Sequence, residues 1–227
     1  ELATFAPHAP YVPAPEDGHK FPNLAYDNSP PYGARPDAAA PSWLKAISPL
    51  GKDDVDRVNQ VFRRRAQSVL AVDRMVGAIR AQLATLGLDK NTYVVFSSDN
   101  GYHLGEYSLR EGKRTPFDVD VHVPLIVVGP NVRAGAVIDN LVENVDLCPT
   151  FAEIAGRAPP TSADGHSLFS LISGNAPLTR TPWRAGVLVE HHHAPYDSGD
   201  PDKQQPLSGD RKSTRLNSSH GYISYAV

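Results

Sequence analysis

The stretch 92–130, TYVVFSSDNGYHLGEYSLREGKRTPFDVDVHVPLIVVGP, decides the fold. It contains two short apolar runs rich in β-branched residues, at 93–96 and 124–128. Each is too short for a helix, so we predict two buried strands of a covered, largely parallel sheet. The polar connection between them is far longer than most connections in a compact domain, and such loops are usually functional. We therefore expect an α/β fold with its active site in this loop, beyond the carboxyl end of the first strand.

A long amphipathic helix is predicted before this stretch. Apolar residues recur at three- and four-residue steps over residues 53–86, and Gly87 is the expected stop. The run of three arginines at 63–65 is expected to form a solvated face of this helix. Asp73 and Arg74 are expected to be a solvated or capping pair and not part of a site. Helix, short loop and buried strand in succession are typical of a doubly wound fold.

Shorter elements are predicted after the second strand. Asp146 suits the N-cap of a helix over residues 147–155. Cys148, at the start of this helix, is expected to be a buried structural cysteine. Residues 165–174 are predicted to form another short helix, and residues 185–190 a strand.

The amino-terminal segment, residues 2–49, is rich in proline, alanine and asparagine. Its prolines forbid long helices and central strands, so we expect an extended segment laid over another surface. The composition is also compatible with disorder. Docking is favoured by the interspersed aromatic residues Phe5, Tyr11, Phe21, Tyr26 and Trp43.

Composition excludes several classes of protein. The formal net charge of −3 gives no reason to expect a nucleic-acid partner. No apolar run approaches the roughly 20 residues needed to span a bilayer. The single cysteine excludes an internal disulfide framework.

The two ends of the chain are unusual. The sequence begins at Glu1 with residues typical of the middle of a domain, so we expect a fragment. Residues 210–227, DRKSTRLNSSHGYISYAV, show no helical or strand periodicity and resemble the translation of a sequencing adapter. A polar disordered tail is the alternative. We assign this tail no function and leave it out of the fold prediction.

The candidate site residues combine metal ligands with cationic groups. Asp99 and Asn100 offer hard oxygen ligands at a strand end, which suit Ca²⁺ or Mg²⁺ better than zinc. Lys113 would place a compact cation near a bound anion, and His8 in the proline-rich segment completes a set of groups able to cleave an anionic ester. Read alone, Asp-Asn-Gly is common turn chemistry, and a loop histidine is more often a surface residue.

Three consecutive histidines at 191–193 follow the last predicted strand. Because neighbouring strand residues point to opposite faces, the three cannot all bind one metal. One of them, or Glu190, is a further candidate for a substrate contact.

The order of several segments identifies a family resemblance. SSDNGYHLGEYSLREGKRTPFDVDVHVPLIVVGP resembles the second half of the type I sulfatases, in the alkaline phosphatase superfamily. Four more segments agree with that family in the same order: FAPHAPYVPAP, LAVDRMVGAIRAQLATLGLDKNTYVVF, NVDLCPTFAEIAG and DGHSLFSLISG. The resemblance covers residues 5–190, and five matches in the right order are strongly specific.

The resemblance implies part of a doubly wound, mostly parallel sheet with helices on both faces, and it implies roles for single residues. Asp99 and Asn100 would complete an oxygen-ligated divalent site, usually Ca²⁺. Lys113 would contact the sulfate and stabilise the leaving oxygen, and His8 would be a donor or general acid toward the ester oxygen. His103 resembles the corresponding residue of members acting on sulfated sugars, so we expect a substrate contact there.

The sequence departs from the family at the nucleophile. That group is a formylglycine made from Cys or Ser in a C/S-x-P-x-R motif, and CPTFA at 148–152 does not match it. We expect the nucleophile and an amino-terminal Asp-Asp metal pair to lie upstream, and the chain alone to lack sulfatase activity. The expected division is the second half of the catalytic domain at 1–180, the start of a smaller subdomain at 181–209, and a non-native tail at 210–227.

The expected function is therefore part of a sulfuric ester hydrolase acting on a sulfated sugar or an aryl sulfate. The resemblance implies a periplasmic or secreted location. One alternative is a phosphodiesterase or phosphonate monoester hydrolase of the same superfamily, because the shared fold cannot choose between them. Another is a non-catalytic carbohydrate-binding homologue, which would have no need for all four of Asp99, Asn100, Lys113 and His8.

Overall fold

The computed structural model describes residues 1–26, 30–174 and 183–189, and the backbone of Leu216–Asn217. The chain divides into two units. The first contains Glu1–Gln82 and Tyr102–Arg114, and the second contains Leu83–Gly101 and the described residues from Thr115 onward. The predicted boundary between residues 180 and 181 lies outside the described residues, as does most of the predicted tail.

Helix α2, Lys52–Thr85, organises the first unit and confirms the predicted long helix. It runs unbroken for 34 residues, with Asp53 and Asp54 in the first turn, where carboxylates complement the helix dipole. Gly87 ends it with a left-handed φ of 67°. Its apolar side packs in a core made of Ala9, Tyr11, Val58, Val61 and Leu104. The short helix α1, Ser42–Lys45, and a 3-10 turn, Pro15–Asp17, precede it.

The proline-rich segment docks on α2, as its aromatic residues predicted. Gln67 donates from Nε2 to two carbonyl oxygens of this segment, at 2.7 and 3.1 Å. Arg74 donates to both carboxylate oxygens of Asp17, at 3.0 and 2.6 Å, and these hydrogen bonds lower the pKa of Asp17. Arg74 also donates to Glu16, at 3.0 Å, so it binds the docked segment, which the predicted solvated or capping pair with Asp73 did not include.

The prediction that the arginine run is a solvated face is wrong for two of its three members. Arg63 and Arg65 are half-buried, and only Arg64 is exposed. Arg63 donates to the carbonyl of Leu24 at 3.2 Å, and Arg65 to the carbonyl of Pro7 at 3.0 Å. The docked segment covers this side of the helix, which the helical sequence alone does not reveal.

The second unit contains the two predicted strands, β1 (Val94–Ser97) and β2 (Leu125–Val128). They pair antiparallel, with Val94 opposite Val128 and Ser97 opposite Leu125. The predicted sheet was largely parallel, whereas both strand pairs that the structure describes are antiparallel. The remaining elements are α3 (Asp118–Val121), α4 (Leu147–Ile154), α5 (Phe169–Ile172), β3 (Leu188–Val189) and β4 (Leu216–Asn217), the last two paired antiparallel.

The two faces of the β1–β2 pair differ in burial. One face packs on the core of the second unit, which consists of Leu125, Val127, Val142, Leu168 and Ile172. On the other face, Phe96 is 40% exposed and Val128 is 41% exposed. Coverage on both faces was predicted, so the structure departs from that expectation on this face.

Helix α4 confirms the predicted helix but not the predicted burial of its cysteine. Cys148 is exposed, whereas the next two residues, Pro149 and Thr150, are buried. The phase of the helix turns the thiol outward. Gly156 follows the helix with a φ of 65°.

Within the described ranges, no helix is long and apolar enough to cross a membrane.

Asp146 is a fully buried carboxylate before α4. Arg184 donates to both of its oxygens at 2.8 Å, and the backbone amides of His166 and Glu143 donate at 2.7 and 2.8 Å. Burial alone would raise the pKa of Asp146, but these hydrogen bonds outweigh burial and hold the pKa below its usual value. The same surroundings act differently on Glu143, where burial dominates and raises the pKa despite Arg184.

Gly101 holds the end of β1 against α3. Its amide donates to the carbonyl of Asp120 at 2.9 Å, and a Cβ at this position would lie 2.0 Å from the carbonyl oxygen of Val119. Glycine is therefore required here by the close approach of two backbones. Asp120 is itself buried and accepts hydrogen bonds from the amide and hydroxyl of Thr115, at 2.8 and 2.6 Å.

We predict that Gly101→Ala destabilises the protein by about 1–3 kcal/mol, because the new methyl group must displace backbone. The measurement is the free energy of unfolding from urea titration. Gly77→Ala is the matched control, because a Cβ added there meets no atom within 4 Å beyond the adjoining backbone of its own helix. Alanine in a helix interior should stabilise the protein by up to about 1 kcal/mol. Equal stability of Gly101→Ala and the parent chain would contradict the packing argument.

We predict that Asp146→Asn destabilises the protein by about 3 kcal/mol at neutral pH, because it removes the carboxylate that Arg184 contacts through two nitrogens and leaves Arg184 only Glu143, at 3.2 Å. Since the folded pKa of Asp146 lies below its usual value of 3.8, the stabilisation is present above about pH 4 and lost as pH falls further. The stability difference between the two proteins should therefore narrow in acid.

Urea titrations at pH 7 and pH 3 measure this difference. The exposed Asp139 supplies the control Asp139→Asn, expected to change stability by no more than about 0.5 kcal/mol at either pH. A difference between the parent and Asp146→Asn that does not vary with pH would show that the carboxylate charge is not what stabilises this region.

Candidate functional site

The segment Tyr102–Arg114 forms a closed loop in the first unit. His103 and Gly112 pair in an antiparallel bridge, each amide donating to the other's carbonyl, at 2.8 and 3.1 Å. Lys113 follows Gly112 directly, so its backbone lies next to the two hydrogen bonds of this bridge. The segment has no helix or regular strand, and its shape depends on specific contacts.

Glu106 anchors the interior of this loop. Its side chain is 0% exposed and accepts hydrogen bonds from the Leu104 amide, at 2.6 Å, and from the Tyr26 hydroxyl. The preceding residue, Gly105, lies so close to Tyr32 that a Cβ would sit 2.3 Å from the ring. A buried carboxylate is costly unless hydrogen-bonded, so these contacts fix the loop against the proline-rich segment.

Ion pairs tie the loop to the start of α2. Arg110 donates to both oxygens of Asp54, at 2.7 and 3.1 Å, and Arg57 pairs with Glu111. The pKa of Asp54 is lowered by the hydrogen bond from the Gly51 amide and by the one from Arg110. The contacts of Glu106 and these ion pairs together fix the backbone on the amino-terminal side of Lys113.

Lys113 and His8 come together in the first unit. The Nζ of Lys113 lies 3.5 Å from Nε2 of His8, although the two residues are 105 positions apart. The Nδ1 of His8 lies 2.9 Å from the carbonyl oxygen of Ala9. Because a carbonyl can only accept, Nδ1 carries the proton, and Nε2 is the ring nitrogen turned toward Lys113.

This pair can bind an anion. Both side chains are half-buried, and Nζ of Lys113 and Nε2 of His8 lie close enough together to contact the same oxygen atom of a ligand. Charge-assisted hydrogen bonds to an anionic oxygen are roughly twice as strong as neutral ones. An oxygen of an anionic ester could therefore accept hydrogen bonds from Nζ of Lys113 and from a protonated Nε2 of His8.

Asp99 and Asn100 follow β1 in the second unit. The Nδ2 of Asn100 donates to the carbonyl of Gly101 at 2.8 Å, which leaves Oδ1 as the atom this side chain can offer a cation. Asp99 is exposed. The backbone beside them is held by a hydrogen bond from Asn144 to the carbonyl of Ser98, at 3.0 Å.

The donor set of this pair fits part of a calcium site. Ca²⁺ takes six to eight oxygen ligands, and the pair supplies a carboxylate and an amide oxygen. In the part of the chain that the structure describes, no group of three or more His, Cys, Asp or Glu side chains could hold a metal ion. Asp99 and Asn100 can thus contribute to a metal centre without completing it.

His103 is almost fully buried, with 3% of its surface exposed. Its ring stacks on Tyr102, with centroids 6.4 Å apart and planes at 18°. Little of its side chain is open to a ligand in this structure. Glu190 and the three histidines that follow it lie outside the described residues.

Sequence reasoning missed three residues close to the His8–Lys113 pair. The guanidinium of Arg65 lies 4.1 Å from the ring centroid of Tyr102 and 5.9 Å from that of Tyr11. The hydroxyls of the two tyrosines are 2.6 Å apart. One signal was available: Arg65 lies four residues after Val61 and four before Val69, on the apolar stripe of the predicted helix.

Comparison with known sequences identifies the family. A model of the Sulfatase family matches residues 2–157, more than half of the chain. Human N-acetylglucosamine-6-sulfatase is 35% identical over 203 residues, covering 88% of this chain and 36% of the human protein. An extracellular sulfatase SULF-1 homolog from Drosophila melanogaster is 35% identical over 185 residues, covering 82% and 17%. The chain thus spans less than two fifths of the length of these relatives.

Solved structures agree with this result. A protein in complex with its substrate D-glucosamine-2-N,6-O-disulfate superposes with a TM-score of 0.58 and 31% identity, covering 66% of this chain and 31% of the other. A phosphonate monoester hydrolase from Silicibacter pomeroyi gives 0.57 and 28%, covering 66% and 28%. The predicted α/β fold class and the predicted resemblance are both confirmed, and the chain belongs to the sulfatase family.

Proposed function

We propose that this chain carries the sulfate-binding part of the active site of a sulfuric ester hydrolase. The observation that carries the proposal is the convergence of Lys113 and His8, with 3.5 Å between Nζ and Nε2. Membership of the sulfatase family supports a sulfate ester as the anion. A sulfated sugar is the proposed substrate class, and His103 remains a proposed contact to that sugar.

Two relatives support the sugar. One is named N-acetylglucosamine-6-sulfatase, and a structural neighbour is described as bound to D-glucosamine-2-N,6-O-disulfate. Another relative is named an extracellular sulfatase, which supports the proposed periplasmic or secreted location. The phosphonate monoester hydrolase shares the fold at lower identity, and it does not outweigh the sulfatase relatives.

Lys113 is proposed to bind a sulfate oxygen and to stabilise the negative charge that grows on the ester oxygen as the sulfur–oxygen bond breaks. An ammonium placed in advance at that position needs no reorganisation during the reaction. The two flanks of its loop are held by Glu106 and by the Arg110–Asp54 pair, so its position is fixed by the fold.

His8 is proposed to donate a proton to the departing alcohol oxygen. Its Nδ1 donates to the Ala9 carbonyl, so Nε2 is the ring nitrogen proposed to transfer the proton. A bound sulfate would place an anionic oxygen beside both Nε2 of His8 and the Lys113 ammonium.

Asp99 and Asn100 are proposed ligands of a divalent cation, Ca²⁺ in preference to Mg²⁺, with the other ligands coming from outside the described residues. A cation bound by these two residues would supply positive charge to an anionic ligand. The proposed nucleophile is a formylglycine outside these 227 residues, because the sequence contains no C/S-x-P-x-R motif.

In a full-length enzyme that contains this segment, we predict that Lys113→Met lowers kcat/KM for a sulfated sugar by about 10²–10³-fold. The physical reason is the loss of the charge that stabilises the ester oxygen in the transition state. Steady-state kinetics measure the effect, with Lys90→Met, at an exposed lysine in the turn Asp89–Asn91, as the control. Unchanged kinetics in Lys113→Met would remove this residue from the reaction.

We predict that His8→Ala in the same enzyme lowers kcat for a sugar sulfate by about 10²–10⁴-fold. For 4-nitrophenyl sulfate the loss should be much smaller, because nitrophenolate leaves without a proton. The measurement is the ratio of the two losses. A loss of the same size for both substrates would exclude His8 as the general acid.

A further inference from the structure

We propose that Arg65 is a positioning residue that holds His8 beside Lys113, an inference that rests on the proposed function. Arg65 projects from α2 between the two segments that carry those residues. It donates to the carbonyl of Pro7, at 3.0 Å, immediately before His8. Its guanidinium also stacks over the ring of Tyr102, 4.1 Å from the centroid. Tyr102 begins the segment Tyr102–Arg114, called here the Lys113 loop.

The two tyrosines close this connection into a compact cluster. Tyr11 follows His8 by three residues, is 9% exposed, and shares a hydrogen bond of 2.6 Å with the hydroxyl of Tyr102. Its φ of 58° is unfavourable for a residue with a side chain, so the surrounding contacts must hold it. Arg65 lies 5.9 Å from the Tyr11 ring and therefore contacts both sides of the cluster.

The connection continues from the cluster to the two cationic groups. On one side, Pro7 and Tyr11 bracket His8 along the chain. On the other, the residue after Tyr102 is His103, whose backbone bridge to Gly112 fixes the residue before Lys113. Displacement of Arg65 would thus allow both His8 and Lys113 to move, and the 3.5 Å distance between Nε2 and Nζ would no longer be fixed.

The chemistry requires arginine specifically. A planar guanidinium can stack on an aromatic face while its edge donates to a carbonyl, which a lysine ammonium cannot do in one position. Arg65 acts through the protein and does not touch the anion. The rest of the first unit has its own contacts, from Arg74, Gln67 and the Arg110–Asp54 pair, so loss of Arg65 should disturb the site more than the fold.

The test uses the 227-residue chain titrated with sodium sulfate, with the imidazole NMR signals of His8 as the readout. In Arg65→Met we expect the His8 signals to move before any sulfate is added, and the Kd for sulfate to rise about tenfold, from the lost stacking and hydrogen bond. Arg64→Met is the matched control. Arg64 is the exposed neighbour of Arg65 on the same helical turn, so its substitution should change neither the His8 signals nor the Kd.

Arg65→Lys separates geometry from charge. It keeps the positive charge but not the planar stack, so we expect it to behave like Arg65→Met. Full recovery of the parent's His8 signals and Kd by lysine would overturn the proposal, because charge alone would then suffice. Should Arg65→Met fail to fold, Tyr102→Leu removes the stacking partner while keeping the arginine, and the same displacement of the His8 signals is expected.

Lys113→Met distinguishes this proposal from the proposed function. If Lys113→Met weakens sulfate binding but Arg65→Met leaves the His8 signals and the Kd unchanged, only the positioning role fails. If Lys113→Met binds sulfate as the parent does, the anion site itself fails. The His8 signals recorded without sulfate then decide the role of Arg65 independently, since their displacement in Arg65→Met requires only that Arg65 fixes His8.

Discussion

A carboxylate taken out of water must be given hydrogen bonds, and the Lys113 loop depends on this requirement at Glu106. The loop has no regular secondary structure to fix its backbone. Instead, the Leu104 amide and the Tyr26 hydroxyl satisfy the buried Glu106, which joins the loop to the proline-rich segment. That segment carries His8. One buried carboxyl side chain therefore links the two parts of the chain that carry Lys113 and His8.

Much of the secondary structure could be predicted because it follows repeated patterns. The three- and four-residue spacing of apolar residues predicted α2, and short β-branched runs predicted β1 and β2. Strand direction was not predictable, since an apolar run has the same composition in a parallel and an antiparallel pair. The exposure of Cys148 was missed for a related reason: residue type favours burial, but the phase of α4 decides which way the thiol points.

Residue type and loop length indicated a candidate site, but the roles proposed for single residues came only from the family resemblance, because single residues in loops have no periodicity. The resemblance named His8 and Lys113, and the structure brings their side chains together. It did not point to Glu106 or Arg65. Glu106 lies in an irregular loop, where a buried carboxylate looks the same in sequence as a solvated one. Arg65 lay on the apolar stripe of α2, yet its two arginine neighbours made a solvated face the simpler interpretation.

The long sequence separation between His8 and Lys113 affects the order in which their contacts can form during synthesis of the chain. His8 must wait for 105 further residues before Lys113 exists, and Tyr11 must wait for 91 before Tyr102 does. At roughly 5–20 residues per second, this delay lasts about 5–20 s on the ribosome. Throughout that interval the aromatic, proline-rich segment has no loop to pack against. The contacts that this segment makes with Tyr102–Arg114 can therefore form only after the whole of α2 has been synthesised.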